Sequence, residues 1–466
     1  MIKELYLSYF ENKKVTVMGL GLLGRGIGDT KFLAENGADI IVTDKKTKEQ
    51  LMSSLESLKN NIEEPYVNIK YILGEHRLED FENRDFILKA AGVPFDSEYI
   101  EHACSNKIPV YMSAALVCDI VMKELPDVVI IGVTGTRGKS TTTEMIAHVL
   151  RENGSRVHLG GNIRGVANLP LLDEIEDGDF LVLELDSWQL QGFGDMKISP
   201  HIAVFTSFMD DHMNYYKNDK ELYFNDKANI YRNQHAGDVL VASAQASSEI
   251  IMRGERVAIL VPEQQHFDMK LIGEHNQVAG GLAYEVASQC GLDDESIRKS
   301  LATFSAVHGR LEDMGLFQKA KTTMGRDVGS PDSKSEFRGV RVFNDNNATT
   351  GDATNIALES VNNTFNKKPI LIIGGTDKGL PIDELEKCLQ KKTKAVIYLS
   401  GTGTDRISLN KEYKYDKLSD CISKAFELSE EGDIILFSPA FASFSKYFNN
   451  EYERGDEFVK EVQKYA

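Results

Sequence analysis

The sequence predicts an α/β protein built as three units in series. Short apolar runs of strand length recur along the chain, two of them enter glycine turns that open helical stretches, and 466 residues is roughly three domains at ~150 residues each. In the first unit, residues 1–112, the apolar run 15–18 enters a glycine turn, and runs at 40–43, 86–88 and 109–111 follow. The second unit, 113–307, opens with the run 128–131, again entering a glycine turn, and continues with 180–185, 202–205 and 239–241. The third, 308–466, shows 340–343, 370–373, 395–399 and 434–437. Buried strands separated by helical stretches predict mostly parallel sheets. Residues 319–339, KAKTTMGRDVGSPDSKSEFRG, break the pattern. They are polar, basic and turn-rich, and read as an exposed loop between two strands.

Composition excludes several classes. Lys+Arg number 53 against 71 Asp+Glu, a net charge of −18. So acidic a chain does not suit nucleic acid or an anionic membrane, and any anionic ligand needs a local site. The five cysteines are scattered and form no C-x-x-C pair, as expected of reduced thiols in a cytoplasmic protein. The N-terminus MIKELYLSYFENKK has no basic stretch followed by a long apolar run, so no secretory signal is expected. No uncharged apolar stretch approaches ~18 residues, so no membrane span is expected.

The first glycine turn is Gly19-Leu-Gly21-Leu22-Leu23-Gly24, between a strand and a helix, with Asp44 at the end of the next strand. Glycines there let backbone approach a diphosphate, and a helix N-terminus adds partial positive charge. Alone the motif favours NAD, but it does not separate NAD from another nucleotide diphosphate such as UDP.

The second turn is Gly132-Val-Thr-Gly135-Thr136-Arg-Gly138-Lys139-Ser140-Thr141. Its amides can cradle phosphates, Lys139 can neutralise the terminal ones, and the Ser140 hydroxyl can hold Mg²⁺. Val133 stands where the strict phosphate-loop pattern has glycine, so this is a variant of it. Glu184 ends an apolar strand, where α/β sites gather, and its carboxylate suits a hard cation, though a strand-end glutamate is also an ordinary solvated cap.

From here a resemblance becomes specific. After Thr134-Gly-Thr-Arg-Gly-Lys-Ser140 come Gly160-Gly-Asn162-Ile163, Leu183-Glu184-Leu-Asp-Ser-Trp-Gln-Leu190, Asp211-His212-Met213 and Tyr223-Phe-Asn-Asp-Lys227. Gly273-Glu-His-Asn276, His308-Gly-Arg310-Leu-Glu312, Asn344-Asp345, Gly374-Gly-Thr-Asp-Lys378 and Ser438-Pro-Ala-Phe-Ala-Ser443 follow. In order and spacing this set resembles the Mur ligases, in the branch that adds D-glutamate to UDP-N-acetylmuramoyl-L-alanine, over nearly the whole chain. The resemblance implies an N-terminal Rossmann-like domain for the UDP precursor (1–112), a central P-loop ATPase domain (113–307) and a C-terminal Rossmann-like amino-acid-binding domain (308–466).

It also implies roles. Lys139, His212, Lys227 and Lys378 would be catalytic. ATP would meet Gly135, Thr136, Gly138, Lys139, Ser140, Thr141, Asn276, Arg310 and Asp345. The UDP substrate would meet Gly21, Leu22, Leu23, Asp44, Lys45, Gly92, Asn162 and His212. Glutamate would meet Thr349, Lys378, Ser443 and Phe444. Mg²⁺ would be held by Ser140, Glu184, His212 and Lys227, the last as a carbamate. Nothing local shows that modification, and His212, read from its neighbours alone, is as well explained as a structural histidine. The implied protein is a cytoplasmic monomer working on small molecules in cell-wall synthesis.

The chemistry agrees with these roles. Carboxylate oxygen is a poor leaving group, so amide formation needs activation. ATP can convert it to an acyl phosphate that an amine displaces, which demands neutralisation of several anions. The sequence departs from the family pattern at Asn347, where lysine is usual, and at Asp186, Ala279, Ala90-Ala91-Gly92 and the spacing before Arg454. These bear on which amino acid is added more than on ATP use. A related ligase using L-glutamate or another acceptor is the second reading. A nucleotide sensor without ligation is the third, opposed by the retained Lys139, Glu184, His212 and Lys227. An NAD dehydrogenase would leave the second turn unexplained.

Overall fold

The computed structural model describes residues 2–22, 24–61, 69–94, 96–318, 339–443, 448 and 450–466. The chain forms two compact units. One comprises Met1–His266 with Val278–Leu301, the other Phe267–Gln277 with Ala302–Ala466.

The first unit contains two sheets. Strands β1 (Lys14–Met18), β2 (Asp39–Asp44), β3 (Ile69–Leu73), β4 (Phe86–Lys89) and β5 (Val110–Tyr111) form a parallel sheet in the order β3-β2-β1-β4-β5. Because β1 lies between β2 and β4, the order reverses beside it. The crevice outside its carboxyl end is therefore where a nucleotide settles in such sheets. The glycine turn 19–24 fills that position.

Strands β6 (Val129–Thr134), β7 (Val157–Gly161), β8 (Phe180–Glu184), β9 (Ile202–Phe205), β10 (Val239–Ala242) and β11 (Ile259–Leu260) form the second parallel sheet, ordered β11-β10-β9-β6-β8-β7. Ile130, Ile131 and Val133 of β6 are fully buried, as a strand covered on both faces requires. Each such side chain contributes roughly 1.5–3 kcal/mol on burial. β6 lies between β8 and β9, so the turn after it is flanked by the ends of both.

The second unit carries β12 (Glu312–Phe317), β13 (Val340–Asn344), β14 (Ile370–Gly374), β15 (Ala395–Leu399), β16 (Tyr413–Tyr415) and β17 (Ile434–Phe437), ordered β12-β13-β17-β14-β15-β16. All pairs are parallel except β12 with β13. The fold class is thus α/β with mostly parallel sheets, as expected. The polar segment expected to join two strands lies, for 319–338, outside the described residues, and its flanks are β12 and β13. No helix among the described residues is long and apolar enough to cross a membrane.

Candidate active site

The turn after β6 is held open by its own backbone. Gly135 has φ 149°, and a Cβ there would lie 2.0 Å from Thr206 Oγ1 and 2.8 Å from Ser207 N. Only glycine allows the turn to lie so close to the end of β9. The loop is stitched down there: Thr136 N donates to Ser207 O (2.7 Å) and Arg137 N to Ser207 Oγ (2.8 Å). Gly138, φ 86°, then starts the helix Lys139–Glu152, whose first amides face the turn.

The charged groups converge on this turn. Lys139 Nζ donates to Gly135 O (3.0 Å) and Thr136 O (3.3 Å). Ser140 Oγ donates to Glu184 Oε2, and Asn162 Nδ2 to Glu184 Oε1 at 3.3 Å. Lys227, in the helix Lys220–Ala228, is 1% exposed, and its Nζ donates to Gly135 O at 2.9 Å. Burial, and then the nearby Lys139 ammonium, hold its pKa well below that of a free lysine. The Tyr223 ring unites two of the expected residues. Lys227 Nζ is 4.9 Å from its centroid, and the His212 ring is 6.2 Å from it. His212 has φ 55° and also packs on Trp188, with centroids 4.8 Å apart. Arg137 pairs with Asp211 at 2.7 Å, tying the phosphate-type loop to the segment that carries His212.

Among the described residues no three His, Cys, Asp or Glu side chains converge as a metal site. The donor set that forms instead is a hydroxyl and a carboxylate, Ser140 with Glu184. That suits a hard cation sharing its shell with phosphate oxygens and waters. His212 and Lys227 meet at the Tyr223 ring.

At the first turn Gly19, Gly21 and Gly24 all have positive φ. The Asp44 carboxylate accepts from Gly21 N (3.2 Å) and Lys46 N (2.9 Å), so it braces the turn. Leu22 is 49% exposed and Lys45 and Gly92 are exposed, while Leu23 lies outside the described residues.

In the second unit Lys378 Nζ donates to Thr349 Oγ1 at 3.0 Å. Both line a small cavity with Gly351, Asp377, Ala440 and Phe441. Ser443 is buried but is not in that lining, and Phe444 lies outside the described residues. Asp345 accepts from Leu311 N (3.0 Å) and Ser438 Oγ (2.7 Å), and burial raises its pKa to about 7 against the pull of those bonds and of Arg310. Asn276 is buried, its amide donating to Ile272 O. Asn347 donates to His308 O at 3.2 Å, so the residue replacing the usual lysine is taken up by the 308–309 turn.

Sequence reasoning missed several participants. Arg454 is completely buried, and its guanidinium donates to Asn346 Oδ1, Asn346 O, Gly374 O and Phe441 O, joining three loops around the cavity. Tyr223 and Arg137 were quoted inside motifs without a role, and Arg25 was not named. Arg and Tyr inside quoted motifs were the available signal, but which of them face the site depends on contacts across the fold.

Comparison with known proteins identifies the family and the fold. Residues 133–259 match the Mur ligase middle domain. A UDP-N-acetylmuramoylalanine–D-glutamate ligase of Borreliella afzelii is 33% identical over 98% of this chain and 99% of its own. One of Geobacillus kaustophilus is 32% identical, over 98% of each chain. Among solved structures, UDP-N-acetylmuramate-alanine ligase of Thermotoga maritima aligns with TM-score 0.59 at 18% identity, over 97% of this chain and 100% of its own. MurF ligase of the same organism, in complex with ADP, aligns with TM-score 0.58 at 15% identity, over 99% of this chain and 98% of its own.

Proposed function

The chain belongs to the UDP-N-acetylmuramoylalanine–D-glutamate ligases of the Mur ligase family, and on that premise we propose how its residues perform the ligation. It is an ATP-dependent ligase that joins D-glutamate to UDP-N-acetylmuramoyl-L-alanine in peptidoglycan precursor synthesis.

The observation that carries the residue assignment is the convergence of Lys139, Ser140, Glu184 and Lys227 on one glycine turn. In this reading the amides of residues 135–141 and the Lys139 ammonium hold the ATP phosphates. Lys139 now lies against loop carbonyls and exchanges them for phosphate oxygens. The hydroxyl of Ser140 and the carboxylate of Glu184 would hold Mg²⁺, and His212 and a carbamylated Lys227 would complete the set. Bound there, Mg²⁺ supplies charge neutralisation for phosphoryl transfer to the acceptor carboxylate. Carbamylation requires an unprotonated amine to attack CO₂, and the burial of Lys227 favours that form. Asn276, Arg310 and Asp345 complete ATP binding. Gly21, Leu22, Leu23, Asp44, Lys45 and Gly92 hold the UDP end, with Asn162 and His212 nearer the reacting carboxylate. The pair Thr349–Lys378, with Ser443 and Phe444, takes the incoming glutamate.

The sheets at 14–111, 129–260 and 312–437 correspond in this reading to UDP-precursor, ATP and amino-acid domains. We place the enzyme in the cytoplasm, where ATP is available, and a net charge of −18 favours a monomer.

The test is product identification by mass spectrometry. With UDP-N-acetylmuramoyl-L-alanine, ATP and Mg²⁺, the D-glutamyl product is expected. Asn347 motivates trying L-glutamate as well. Product from L-glutamate alone, or from neither enantiomer, contradicts the reading.

A further inference from the structure

The two glycine turns of the first unit are joined by a chain of side-chain hydrogen bonds that begins at Arg25. Arg25 opens the helix Arg25–Glu35 directly after Gly24. Its Nη2 donates to Asn162 Oδ1 at 3.0 Å, Asn162 Nδ2 donates to Glu184 Oε1 at 3.3 Å, and the other Glu184 oxygen accepts from Ser140. Guanidinium only donates and carboxylate only accepts, so the orientation of the Asn162 amide is fixed by its neighbours.

The start of this chain is rigid. Arg25, Gly28 and Asp29 lie on one helix face, spaced i, i+3 and i+4. A Cβ on Gly28 would sit 2.5 Å from Ala167 Cβ, so the helix lies hard against the segment after β7. The fully buried Asp29 carboxylate accepts from Leu169 N at 2.9 Å. Asn162 is fixed too, since its N donates to Glu184 O at 2.7 Å. Yet Arg25 Nε, out of solvent, has no hydrogen-bond partner among the described residues. An unmade bond at a buried nitrogen is costly, and Arg25 as a whole is only half-buried, which leaves its guanidinium within reach of an anion.

We propose that Arg25 binds the acceptor substrate, its guanidinium taking an anionic oxygen of that molecule while keeping Asn162 aimed at Glu184. This rests on the ligase reading above. The acceptor has its diphosphate at the turn 19–24 and must deliver its carboxylate to the turn 135–140. Arg25 and Asn162 stand between the two. The anion is a phosphate or a carboxylate oxygen of that one ligand.

The experiment uses the full chain with Arg25→Met, which keeps the aliphatic stem, Arg25→Gln, which keeps a donor amide, and Arg25→Lys, which keeps charge. Melting curves establish that each variant is folded. Calorimetry gives Kd for UDP and for UDP-N-acetylmuramoyl-L-alanine, and kinetics give KM for ATP and glutamate. Arg25→Met and Arg25→Gln are expected to weaken acceptor binding by about tenfold or more, with partial recovery in Arg25→Lys and the KM for glutamate within about twofold of wild type. Equal weakening for UDP assigns the contact to the diphosphate, and weakening for the full acceptor alone assigns it to the carboxylate. If wild type binds the acceptor and the folded variants bind it equally well, the inference is wrong while the ligase reading stands. If wild type binds no acceptor, both are overturned.

Discussion

At the residue scale, the three lysines proposed to act in the reaction sit in different surroundings. Lys139 is held by loop carbonyls at the helix N-terminus, where the proposed reading puts the ATP phosphates. Lys227 is buried against Gly135 and Tyr223, where a free ammonium is disfavoured. If Lys227 carries the proposed carbamate, truncating it to Ala is expected to abolish turnover, because the carbamate oxygens would be lost, and small carboxylates such as formate or acetate should restore part of it. Full activity of Lys227→Ala, or no rescue of an inactive variant across a carboxylate series, would refute the carbamate. Lys378 is exposed and paired with Thr349. A charge-assisted hydrogen bond contributes ~1.5–3 kcal/mol, so Lys378→Ala should raise the glutamate KM about tenfold to a hundredfold, with little change for ATP. Steady-state kinetics with each substrate varied decide this, and an unchanged glutamate KM removes Lys378 from the amino-acid site. These lysines were legible in the sequence because each follows or accompanies glycines or a recognisable motif. Arg25 was not, and Arg454 was named only for its spacing and given no role, because their partners lie 137 and 108 residues away in the chain.

At the element scale, what was legible followed burial. Strands β6, β9, β14 and β17 read clearly because both faces are covered and their sequences are continuous apolar runs. The strands that went unread were β3, β7, β11, β12 and β16, and each lies at the edge of its sheet. IKYIL and YKY are only partly buried, and EDMGLF carries two acids and a bulge, so none offers a continuous apolar run. Edge strands are commonly short and charged, which guards against pairing with other chains but hides them from pattern reading. The polar segment between β12 and β13 should be dispensable for folding, because its sequence has no apolar periodicity with which to reach a core. Replacing residues 319–338 with a short glycine-serine turn should leave the melting temperature within about 2 °C. A fall of ten degrees or more would show that the segment packs as structure.

At the scale of the whole molecule, two glycine turns sit at the carboxyl ends of two parallel sheets within one compact unit, and Arg25, Asn162 and Glu184 connect them. That arrangement has a simple chemical use. In the proposed reading one turn anchors the nucleotide end of the acceptor, the other presents a phosphate, and the acceptor's carboxylate is led to it. The acidic net charge makes such local sites necessary, since the molecule as a whole repels its anionic substrates. Family membership fixes the reaction. The claim left to the site is that the carboxylate is activated by direct phosphoryl transfer. Labelling both carboxylate oxygens of UDP-N-acetylmuramoyl-L-alanine with ¹⁸O, and following the released phosphate by ³¹P NMR, tests this most directly. Attack of the labelled carboxylate on the terminal phosphate of ATP, then displacement by the amine of glutamate, must leave one ¹⁸O in each phosphate released. Phosphate free of label, formed alongside the amide product, would contradict the account.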